Sequence, residues 1–129
     1  ELALKAYYRA AAQYGASVDV LSAIGSANLA LGRLGQAEQI LRRAIEADEN
    51  FVPAWNNLGV VLMETGEVAE ASRVFKTAFA LDSGQSDSIR ENLRLALAKV
   101  ENPAYDAGNE EKFALVRRGQ GEYLLITKH

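Results

Sequence analysis

Side chains able to run a reaction are scarce in this sequence. Its one histidine, His129, is the last residue, and no cysteine occurs. A serine or cysteine nucleophile therefore has no histidine base to pair with, and His- or Cys-based metal sites fail for the same reason. The carboxylates remain. Glu110 and Glu111 adjoin in a polar stretch, while Glu64, Glu67 and Glu70 sit around a turn. Solvated charge explains both sets better than general acid–base work. Gly119-Gln120-Gly121 is followed by neither a helix nor a P-loop lysine, so it reads as turn chemistry rather than a phosphate cradle. The expectation is a protein that is not an enzyme and uses no cofactor and no metal.

Composition points the same way. The chain has 129 residues, 49% of them hydrophobic and 24% charged, enough for one compact domain. Its 14 basic and 17 acidic residues are spread along the whole length, giving a net charge of -3. No basic face suited to nucleic acid or an anionic membrane emerges. No run approaches the roughly 20 apolar residues that span a bilayer. The absence of cysteine excludes disulfides but fits cytosol, periplasm or an extracellular setting alike. The sequence opens on Glu1 without an initiating methionine or a signal-like segment, and reads as a fragment or processed product.

What positions the side chains is an internal repeat. An offset of 34 aligns Ala3 with Ala37 and Ala71, Tyr7 with Leu41 and Phe75, and Ala10 with Ala44 and Ala78. The same shift pairs Leu21 with Trp55, Ile24 with Leu58, Gly25 with Gly59 and Gly32 with Gly66. Within each period the apolar residues fall on two helical stripes separated by a glycine. Gly25 and Gly59 lie mid-helix, where glycine costs about 1 kcal/mol relative to alanine, so a packing reason is required. The expected reason is close approach to Ala37 and Ala71 on the following helix.

Trp55, Leu58-Gly59, Leu62, Gly66, Ala71, Phe75 and Ala78 form a spaced signature that resembles the tetratricopeptide repeat family; Ser83 stands where the family closes on proline. The first copy matches at Leu21, Ile24-Gly25, Gly32, Ala37, Leu41 and Ala44, with Asn28 in place of the usual bulky residue and Glu49 at the proline position. The resemblance implies an all-α fold, a right-handed superhelix of helix-turn-helix repeats. It places a half repeat at 1–17, repeats at 18–51 and 52–85 and a capping helix at 86–101. Residues 103–129 are expected to form a polar linker and a β-hairpin tail, with runs Phe113–Arg118 and Glu122–Lys128 packed on the last helices. That tail reads either as a lid over the core or as an edge strand offered to a partner.

The resemblance further implies a concave groove lined by the first helix of each repeat, suited to a peptide or a partner helix. By alignment its residues are Ser22, Ala23, Ser26, Asn56, Asn57, Val60, Glu64, Glu91, Asn92, Leu95 and Lys99. Asn57 and Asn92 occupy equivalent positions, where an amide can both donate to and accept from a peptide unit. Serines, asparagines and Glu91, with Lys99 alone, do not match the basic clamp that grips acidic chaperone tails. An uncharged or weakly basic peptide fits better. The function implied is a protein-interaction scaffold with a protein or peptide partner and no nucleic acid. The alternative is self-association, as a homodimer or within a bacterial envelope, pilus or secretion assembly. It would use an unpaired N-terminal helix whose stripe Leu4, Tyr7, Tyr8 and Ala11 is expected to be bare.

Overall fold

The computed structural model describes residues 2–15, 17–102, 112–117 and 120–126. Six helices come first: α1 Leu2–Tyr14, α2 Val18–Ala30, α3 Leu34–Ala47, α4 Val52–Glu64, α5 Val68–Leu81 and α6 Asp87–Glu101. Strands β1 Lys112–Arg117 and β2 Gln120–Ile126 follow. Glu110, Glu111, Gly119, His129 and most of the expected linker lie outside the described residues.

Local chemistry sets the helix ends. Ser17 and Ser86 cap α2 and α6, accepting hydrogen bonds from the Val20 and Ile89 amides at 3.3 and 3.2 Å. Pro53 sits in the first turn of α4, where its missing N–H costs nothing. α2 and α4 stop alike, on Gly32 and Gly66 at φ +78° and +86°. This left-handed step lets the Arg33 amide donate to the Asn28 carbonyl, and the Glu67 amide to the Leu62 carbonyl, both at 2.8 Å. Because glycine has no Cβ to clash there, the chain reverses in three residues and the next helix starts at once. Between α3 and α4 the Trp55 indole N–H donates to the Glu49 carbonyl at 2.8 Å and ties the loop down.

Each helix packs on its neighbours in sequence, and in addition α2 meets α4 and α4 meets α6. Alternation follows: α2, α4 and α6 form one layer, α3 and α5 the other. Leu41, Leu58, Leu62 and Phe75 fill the space between the layers, and Leu21, Ala44, Phe51 and Ala54 make a second apolar cluster. On the outer layer Arg42 bridges α3 to α5, reaching Glu38 and Glu70 at 3.0 Å each. The hydrogen bond to Glu70 raises the guanidinium's already high proton affinity. Exposed pairs of this kind add roughly 0–1 kcal/mol.

Two sequence expectations are corrected here. A Cβ on Gly25 would stand 2.5 Å from Leu41 Cγ, and one on Gly59 would stand 2.4 Å from Phe75 Cε1. The glycines therefore make room for the large buried side chain of the next helix, one turn beyond Ala37 and Ala71. The α1 stripe is not bare either. Since α1 packs on α2, Leu4 is only 3% exposed, Tyr7 and Ala11 are half-buried, and Tyr8 alone of the four is exposed.

The two strands pair antiparallel, with Leu115 opposite Tyr123 and Lys112 opposite Ile126, and the register slips between Val116 and Arg117. Gly59→Ala tests the packing. Overpacking against the immobile Phe75 ring outweighs the gain in helix propensity, so urea denaturation should show a loss of about 1–2 kcal/mol. Gly35→Ala, where a Cβ meets nothing within 4 Å, should instead hold or raise stability.

Candidate functional site

The inner wall is the layer of α2, α4 and α6. Along it the side chains Ser22, Ser26, Asn56, Asn57 and Asn92 all turn inward and are buried. Three of their hydrogen bonds run in one direction, two between helices and one within α4. Asn92 Nδ2 donates to Asn56 Oδ1 at 2.9 Å, Asn56 Nδ2 to Asn57 Oδ1 at 3.1 Å, and Asn57 Nδ2 to Ser26 Oγ at 2.9 Å. α6 is thereby linked to α4, and α4 to α2. A buried amide without partners costs about 1–3 kcal/mol, so the ladder both removes that penalty and fixes the spacing of the wall.

Val60 and Leu95 supply its apolar part and belong to the main core cluster. Leu115 of β1 belongs to the same cluster and is 4% exposed. Among the helices β1 packs on α4 and α6 and also meets α2, the members of the inner layer. Asn56 and Asn57 are 0% exposed. The wall expected as an open groove is covered by the chain's own strand, because Leu115 finds on it the apolar floor that a two-stranded hairpin cannot make alone.

The remaining groove residues divide. Glu64 and Lys99 are half-buried on α4 and α6, and burial pushes the Glu64 carboxyl above its ordinary range. Glu91 on α6 is exposed and paired with Arg94 one turn on, whose hydrogen bond holds its carboxyl below the ordinary range. Among the described residues no group of three or more His, Cys, Asp or Glu could hold a metal ion, and no helix is long and apolar enough to cross a membrane.

Residues 28–88, which span the end of α2, all of α3, α4 and α5 and the start of α6, match a family model described as tetratricopeptide repeat. Over that stretch, a little under half of the chain, the sequence is similar to the tetratricopeptide repeat family. Tetratricopeptide repeat protein 7B of Homo sapiens is 42% identical over 53 residues, 41% of this chain and 6% of that protein. Cellulose synthase operon protein C of Komagataeibacter xylinus is 35% identical over 69 residues, 54% of this chain and 5% of that protein. This chain thus spans a small fraction of the curated relatives it matches. Among solved structures, the Sgt2 tetratricopeptide domain of Aspergillus fumigatus superposes with a TM-score of 0.74 at 21% identity, covering 92% of this chain and 78% of that one. That likeness shows the helical superhelix. Tetratricopeptide repeats are protein-interaction modules and are generally not catalytic.

Sequence reading placed Asn57 and Asn92 on the wall but missed Leu115, which it counted only as one apolar residue of a hairpin. A lone leucine in a strand carries no sign of where the strand will lie. Two variants probe the wall. Asn57→Ala removes the acceptor of Asn56 and the donor to Ser26 and should cost about 1–3 kcal/mol in urea denaturation. Glu64→Gln should stabilise near neutral pH. A carboxyl raised by burial favours folding only while protonated, so the gain over wild type should shrink as pH falls through the ordinary carboxylate range and vanish below it.

Proposed function

We propose that the chain is a non-enzymatic protein-interaction scaffold whose inner wall receives an extended peptide segment of a partner. The observation that carries this reading is that an extended strand, β1, already lies along α4 and α6 with Leu115 sunk among their apolar side chains. A wall of amides, hydroxyls and two branched apolar residues offers hydrogen bonds to a peptide backbone and a seat for a side chain, and it offers nothing for acid–base or metal chemistry. Net charge plays little part in recognition at the centre of the wall, where the side chains are serine, asparagine, valine and leucine. Self-association through α1 has less to rest on, since Leu4 spends its apolar surface inside its own chain.

A photoreactive amino acid at position 99, on the α6 rim of the wall, is the direct test. Its control sits at position 73, exposed on α5 in the outer layer. Irradiation in a lysate of the source cells should yield a discrete protein adduct from position 99 and none from position 73. Equal labelling from the two positions, or none from either, removes the wall as the binding surface.

A further inference from the structure

We infer that the C-terminal hairpin is a displaceable ligand of its own wall, and that the partner is an extended apolar strand whose leucine-sized side chain takes the place of Leu115. This rests on the wall being the peptide site. Leu115 is 4% exposed in one cluster with Val60 and Leu95, and β1 packs on α4 and α6, so a peptide that uses this apolar seat must first lift the strand. The cover is built to be lifted. Among the described residues it comprises two strands, its helix packing is carried by β1, and β2 makes none of the main contacts to the helices. A two-stranded sheet of this kind has little stability of its own, so its residence on the wall is set by β1 and its Leu115 anchor. The helices, by contrast, supply every other buried residue of the cluster that holds Leu115, Leu41, Leu58, Leu62 and Phe75 among them.

The chemistry of the replaced segment also describes the partner. What the wall accepts from β1 is an extended backbone and one branched apolar side chain. Another segment with those properties competes for the same seat, and the affinity it shows is its own affinity reduced by the fraction of chains whose wall is open.

Three full-length chains decide the matter: wild type, Leu115→Ala and Leu115→Asp. The probe is a fluorescent synthetic peptide of residues 112–126 of this sequence. Binding by anisotropy should strengthen at least tenfold from wild type to Leu115→Asp, with Leu115→Ala between them, and a peptide carrying the Asp substitution should not bind. Hydrogen exchange should show β1 amides exposed in Leu115→Asp while α2 and α4 stay protected; if that variant loses its helices, Leu115→Ala decides. Equal affinity for all three chains, or binding to none, overturns the inference. The two failures are separable. A partner adduct at position 99 that is the same in wild type and in the variants would keep the wall as a peptide site and end the idea that the hairpin guards it.

Discussion

A missing methyl group at two equivalent places fixes the distance between the helix layers. Gly25 lies against Leu41 and Gly59 against Phe75, each so close that a Cβ would fall well inside contact distance. Helix axes pack at about 8–10 Å according to the side chains between them, and here the bulk comes from one side only. The repeat thus couples its smallest residue on the first helix to its largest buried residue on the second. That pairing brings the first helices of successive repeats into one layer, near enough for side-chain amides to span them at 2.9 Å.

From that spacing follows the character of the inner wall. Amides and hydroxyls in a dry place must find partners, and these find one another across α6, α4 and α2. Asn28 shows what happens off the ladder. Its amide donates to the Ile24 carbonyl, yet its Oδ1 has no partner among the described residues, although the equivalent position in the next repeat holds Leu62. The wall is therefore a mixed surface: hydrogen-bonded in the middle, apolar at Val60 and Leu95, and covered by a strand that contributes Leu115.

The repeats were fully legible in the sequence because period, glycine and alanine all reported one geometry. The ends of α2 and α4 followed from Gly32 and Gly66, whose backbone roles are local. What the glycines touch was not legible. An offset of 34 residues aligns positions without saying which of two residues a turn apart lies opposite, and Ala37 was taken for Leu41. Leu4 was misread for a related cause: a helix judged unpaired by the repeat register still has a face toward α2. The residues named for the groove lie on α2, α4 and α6, and β1, more than 50 residues beyond Asn57, packs on those helices through a contact that no local pattern announces.

Nearly every contact between helices in this molecule joins elements adjacent in sequence or next but one, the arrangement in which chains fold quickly. β1 is the exception, since it reaches back across the whole array to α2. During synthesis the ribosome delivers it after α1 to α6, so these helices exist for a time without it. A partner of the proposed kind would meet at that moment a surface that β1 has yet to reach, and which of the two arrives first would become a matter of timing as well as of affinity.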